Sequence, residues 1–196
     1  MGKKKINSNV LTISVVGLSV ALLTVCSWIS IPIGAVPITL QIFAVYIIAG
    51  LFDLKIGMTS MFAYLLLGAV GVPVFANFKS GIAVLQGPTG GYLIGYVLTA
   101  LIIWSFKQIK FKKAFFLTLG MLVGLTVCYA FGTLWFYFVY LNQGDTKSIG
   151  YILSVCVIPF VIPDLVKIAV ASVLVNRLKI PLEKIGYKFD GTGFAM

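Results

Sequence analysis

Between Ile149 and Val175 the chain is almost continuously apolar and carries just two charges, Asp164 and Lys167. Few environments accept such a segment. If it spans a bilayer, each charge at the centre costs on the order of 2.5–3.5 kcal/mol. The three-residue spacing puts the carboxylate and the ammonium on one helical face. Charges in that position usually face a bundle interior or a watery cavity and mark a functional site. The alternative is a mutually satisfied pair that only fixes helix packing.

Composition decides the solvent. Hydrophobic residues make up 60% of the chain and charged residues 10%, where a soluble domain carries roughly 25% charged. The 196 residues allow about six spans of roughly 20 residues with short connections. The fold class expected is therefore all-α: a single membrane domain over 1–196, built as an integral bundle of six transmembrane helices with an outward-facing pocket. The basic start (Lys3, Lys4, Lys5) and the apolar run after it look like a signal peptide, but the run outlasts the roughly 7–15 residues of a signal core. It is read as the first membrane helix.

The net charge of +10 would suggest nucleic acid in a soluble protein. Here the basic residues cluster between apolar runs, which points instead to cytoplasmic loops against a lipid bilayer with anionic headgroups. With six spans, the start, Lys55, the Lys107–Lys113 loop and a basic tail over 177–196 share one side. Only Lys79 and Lys147 lie on the other. That asymmetry places both termini in the cytoplasm. Cys26, Cys128 and Cys156 lie in apolar segments without metal-ligand spacing and read as small buried hydrophobes. There is no histidine, so the commonest general base and metal ligand is missing. No metal site, no catalytic constellation and no cofactor in this chain are expected.

Six segments follow in order, at about 10–29, 38–52, 56–70, 92–106, 114–140 and 149–175. Gly17 and Ala21 in the first have small-xxx-small spacing, which suits either an internal helix contact or a partner-docking face. Pro37 and the residues before it make a helix unfavourable ahead of Thr39 and Gln41. The stretch from Gly68 to Gly91 is rich in glycine and proline yet apolar, with Asn77 and Lys79 as its polar members. Broken backbone at membrane depth is tolerated where protein buries it or it lines a cavity, and interrupted segments point to transport sites. Thr89 is placed to cap the fourth segment, whose start around Gly90, Gly91 and Tyr92 offers free N–H groups to an anionic or carbonyl oxygen. Gly91 and Gly95 also fit plain helix packing. The glycine cluster lacks the Gly-Lys-Ser/Thr ending of a phosphate loop. The aromatics from Trp135 to Tyr140 suit an interfacial belt or a ligand stack. Pro159 and Pro163 break the first part of the sixth segment, and Pro163 reads as a first helical residue with Asp164 in the first turn, near the positive helix end.

Four stretches together carry a family resemblance: Val36-Pro37-Ile38-Thr39-Leu40-Gln41, Gly68 to Ala76 (GAVGVPVFA), Gly87-Pro88-Thr89-Gly90-Gly91-Tyr92-Leu93, and Pro159-Phe160 followed by Asp164-Leu165-Val166-Lys167. In order and spacing the chain resembles the BioY family, the biotin-specific substrate-binding (S) components of energy-coupling factor (ECF) transporters. The resemblance implies a six-helix protein of a prokaryotic plasma membrane that captures biotin from outside. It would deliver it with a transmembrane coupling protein and two cytoplasmic ATPases, which use the ATP. Gly17 and Ala21 fall where S components carry an Ala-xxx-Ala face for the coupling protein. Asp164, Lys167, Asn77, Lys79, Gly90, Gly91, Tyr92, Gln41 and Thr39 are the expected ligand-binding positions. An S component for another vitamin and a non-catalytic structural subunit are the alternatives; an enzyme is disfavoured by the missing histidine and scarce acids.

Overall fold

The computed structural model describes residues 8–32, 36–109, 113–144, 148–184, 187–188 and 193–194. Lys3 to Lys5, Lys110, Lys112 and Lys147, which entered the topology argument, lie outside the described residues.

The described chain is helical apart from two very short strand pairs. Helix α1 (Ser8–Trp28) leads into β1 (Ser30–Ile31) and β2 (Ile38–Thr39), then α2 (Gln41–Leu51) and α3 (Leu54–Ala69). A 3-10 turn (Ala76–Phe78) and the short α4 (Ile82–Gln86) precede α5 (Gly90–Lys107) and α6 (Lys113–Asn142). Helices α7 (Ile149–Cys156) and α8 (Ile158–Lys184) follow, then β3 (Tyr187–Lys188) and β4 (Gly193–Phe194). β1 and β2 pair antiparallel, with Ser30 opposite Thr39, and Pro37 disfavours a helix between them.

Four helices, α1, α5, α6 and α8, are long and apolar enough to cross a bilayer; α2 and α3 are apolar but shorter. Helix α2 is hydrophobic all round, and such a helix must be buried. Only Phe43 of its residues is not fully covered, because α1, α5 and α8 all pack against it. It forms the axis of the bundle.

Helices α5 and α6 pack along most of their length, and glycines permit the close approach. A Cβ on Gly91 would lie 2.2 Å from Trp135 Cβ, and one on Gly95 2.9 Å from Cys128 Sγ. From the other side, Gly124 meets Thr99 and Gly132 receives the Tyr92 ring. Helices in lipid lack a hydrophobic drive to associate, so such close approach matters most there.

The long apolar run of the sixth segment is two helices. The chain breaks at Val157 (φ −123°, ψ −57°), and α8 restarts at Ile158 with Pro159 in its first turn, where no N–H is needed. Pro163 therefore lies inside α8, not at its start, and Asp164 is not in the first turn. This corrects the expectation that the positive helix end holds Asp164. Thr89 occupies the cap position of α5, yet its side chain makes no cap bond. Asp53 does cap, accepting from the Ile56 N–H at 3.0 Å.

Two features fix the charge-rich end. Lys107 donates to the carbonyls of Ala49 (3.1 Å) and Phe52 (2.5 Å), closing the C-terminus of α2. It is thus more than a loop charge. Lys107→Met is expected to leave those carbonyls unmet and to cost about 1–3 kcal/mol, read as a lower unfolding temperature in detergent. Beyond α8, Tyr187 is buried and its oxygen accepts from the Asp53 N–H at 2.9 Å, while its ring stands edge-on to Phe52. Burial, then the Asp53 charge, push its phenol up to about 12. The ordinary value is about 10, so this latch stabilises at neutral pH and weakens as pH rises from about 10 towards 12.

Candidate functional site

The broken stretches converge on one cleft with two lobes. The outer lobe has a cavity volume of about 100 Å³, with Gln41, Phe75, Asn77, Lys79 and Thr89 among its walls. The deeper lobe has about 60 Å³ and reaches Ile42, Cys128, Tyr129, Cys156, Phe160, Asp164 and Lys167. Val36, Pro37, Thr39, Tyr92 and Tyr96 line both and form the neck between them.

The floor of the deeper lobe is a charge pair with defined spare capacity. Asp164 and Lys167 are 4% and 7% exposed, and Lys167 Nζ lies 2.7 Å from Asp164 Oδ1. Lys167 also donates to the Thr39 carbonyl at 2.7 Å. The Tyr129 hydroxyl donates to Asp164 Oδ2 at 2.6 Å. An ammonium has three protons and a carboxylate about four lone-pair sites. One Lys167 proton and a lone pair on each Asp164 oxygen remain for a guest. A buried ion pair held this way is costly to assemble and more costly to halve.

The outer lobe is built on strained loop backbone. Asn77 and Phe78 take φ of 56° and 57°, a left-handed conformation that asparagine tolerates better than phenylalanine. Side chains from α1, β1 and α3 hold it there. Ser30 Oγ donates to Asn77 Oδ1 at 2.9 Å, Trp28 Nε1 to the Pro73 carbonyl at 2.9 Å, and Tyr64 to the Val74 carbonyl at 2.9 Å. Gln41 donates to the Tyr64 hydroxyl at 2.7 Å, which locks the same loop to α2. Phe78 lies against Trp28, ring centres 4.9 Å apart.

Of the residues singled out in the sequence, Asp164, Lys167, Asn77, Lys79, Tyr92, Gln41 and Thr39 line this cleft. Thr39 does so with its side chain turned to the Gln41 N–H at 3.3 Å, and its carbonyl serves Lys167. Gly90 and Gly91 do not line it. A Cβ on Gly90 would sit 1.7 Å from the Leu85 carbonyl oxygen, so both glycines are packing positions. Gly17 and Ala21 are exposed on α1, and a Cβ on Gly17 meets nothing within 4 Å. Among the described residues, Gly17 thus has no close helix neighbour. The aromatic end of α6 stays out of the cleft: Trp135 donates to the Gly87 carbonyl and Phe136 stacks on Tyr140.

Sequence reasoning missed Tyr129, Tyr96, Cys128 and Cys156. The signal for Tyr129 was a phenol in mid-span, since a buried tyrosine needs a partner for its hydroxyl. Among the described residues, no group of histidine, cysteine or acidic side chains could hold a metal ion.

Comparison with known proteins agrees with this architecture. The model of the BioY family matches residues 2–184. The biotin transporter BioY of Thermotoga maritima is 44% identical over 163 residues, covering 83% of this chain and 92% of its own length. A probable biotin transporter BioY of Pyrococcus horikoshii is 40% identical over 168 residues, 85% of this chain and 95% of its own. Among solved structures, the S-component for biotin from an ECF-type ABC transporter superposes with a TM-score of 0.78 at 28% identity. That match covers 91% of this chain and 95% of the other.

Proposed function

Since this chain belongs to the BioY family, we propose that it is a multi-pass membrane protein that captures biotin for uptake as the S component of an ECF-type transporter. The carrying observation is the floor of the deeper lobe. One Lys167 proton and free lone pairs on Asp164 stand side by side. A cyclic urea presents the complement, a carbonyl acceptor flanked by N–H donors. In this reading the ureido ring of biotin enters the deeper lobe, with Lys167 on its oxygen and Asp164 on an N–H. Tyr92, Tyr96 and Phe160 cover the sulfur ring and alkyl chain, as apolar pocket walls do. The valerate carboxylate lies in the outer lobe near Lys79 and Asn77. Six helices, counting the short α2 and α3, cross the membrane with both termini in the cytoplasm and the cleft facing outward.

This chain's residues bind and orient a small molecule; no bond is made or broken in the reading, and ATP is used by partner subunits. The partners are a transmembrane coupling protein and two ATPases. The exposed Gly17 and Ala21 on α1 supply a smooth face against which another helix can pack closely.

The test is equilibrium binding of biotin to the purified, detergent-solubilised chain. Saturable tight binding at one site per chain is expected. A well-folded chain that ignores biotin but binds another water-soluble vitamin would overturn the ligand and keep the architecture. Asn77→Ala is expected to weaken biotin about tenfold, the equivalent of about 1.4 kcal/mol, measured in the same titration.

A further inference from the structure

Tyr46, on the buried axis helix α2, has a role that the pocket walls alone do not reveal. Its side chain is 0% exposed, and its hydroxyl has no hydrogen-bond partner among the described residues. A buried hydroxyl left unmet is unfavourable, and native structures rarely keep one without a reason. Tyr46 lies four residues after Ile42, on the same helical face and about 6 Å further along the axis. Ile42 lines the deeper lobe, so Tyr46 lies one turn beneath it. Tyr46 belongs to the same buried cluster as Cys128, with Tyr96 and Tyr129 packed against it, and the Asp164 carboxylate is near enough for its field to bear on the hydroxyl. All four line that lobe.

We infer that Tyr46 is a positioning residue for the ligand, a donor held in reserve beneath the floor that closes onto the Asp164–Tyr129 pair when the site is filled. In the empty site Asp164 already takes one bond from Lys167 and one from Tyr129. A guest oxygen that takes the spare Lys167 proton shares the ammonium with Asp164 and so weakens that support. Tyr46 replaces it without touching the guest. The unmet bond of the free state is then satisfied only on binding, so it contributes to affinity. No proton changes hands.

The inference rests on the biotin reading above, and its test separates the two. Wild type and Tyr46→Phe are titrated with biotin, and the unfolding temperature of each is taken without ligand. The expected result is a split: Kd rises about tenfold, while ligand-free stability is unchanged or higher because the unmet hydroxyl is gone. An equal Kd in the two proteins overturns the role and leaves biotin capture standing. Wild type that fails to bind biotin overturns the reading itself, and this inference with it. A second readout needs no variant. Biotin must produce a near-ultraviolet tyrosine difference spectrum in the wild type as the hydroxyl gains its partner. A flat spectrum at saturation overturns the inference even if Tyr46→Phe does not fold. Where Tyr46→Phe folds, the spectrum must lose amplitude, and an unchanged amplitude also counts against it.

Discussion

Asp164→Ala is expected to raise the Kd for biotin by at least about 100-fold. The deleted carboxylate takes with it the lone pairs offered to the guest, and hydrogen bonds to charged groups are worth about 1.5–3 kcal/mol each. It also strands Lys167, a buried cation, and breaking one partner of such a pair costs about 3–5 kcal/mol. The single variant therefore loses stability as well as binding. Asp164→Ala combined with Lys167→Met separates the two effects. With both charges gone the floor is apolar, and replacing a whole buried pair is often neutral. The double variant should recover much of the unfolding temperature in detergent but none of the biotin affinity. Recovery of both would make the pair a structural clamp with no part in recognition.

Gly90→Ala should be the most damaging small change outside the cleft. The added methyl carbon would stand 1.7 Å from the Leu85 oxygen and 2.5 Å from its carbonyl carbon. Both atoms are backbone, so no side chain can swing aside. Overpacking typically costs about 1–3 kcal/mol and occasionally more, and here α4 must move away from α5. Tyr92, two residues on, forms part of the neck between the lobes. The expected outcome is a fall in unfolding temperature together with weaker biotin binding. By contrast Gly17→Ala, on open surface, should leave both untouched, and its effect should appear only in co-purification with the coupling protein proposed above. A Gly90→Ala protein of normal stability would refute the close approach of the two helices.

The polar floor was legible in the sequence because charge is rare in this chain. Asp164 and Lys167 stand out in an apolar run, and helical spacing alone puts them on one face. The long helices were legible for the same reason. The joints were less so. Pro159 marks the break beside Val157, but Pro163 read as a start where it sits inside a turn already formed. Periodicity cannot show where a uniformly apolar run changes direction. The glycines at the head of α5 were ambiguous: a bare backbone that can meet a ligand is, in sequence, the same as one that must meet another helix, and here both meet neighbouring helices. Tyr129 and Tyr46 escaped notice because an aromatic in an apolar span looks like core until its hydroxyl is traced to Asp164 or found unmet.

The glycines shared between α5 and α6 also set a ruler for the whole molecule. Gly91 and Gly95 receive groups from α6, while Gly124 and Gly132 receive groups from α5. Each notch is filled from the opposite helix, so a slide of one turn would empty all of them and drive side chains into backbone. The hairpin thus has a single register, and it is sequence-local, needing little chain to assemble. Tyr92, Tyr96 and Tyr129 ride on it, so three walls of the cleft keep fixed separations whether or not a guest is present. Whatever yields to admit a vitamin must therefore come from the other bank: the strand pair before α2 and the strained loop that carries Asn77.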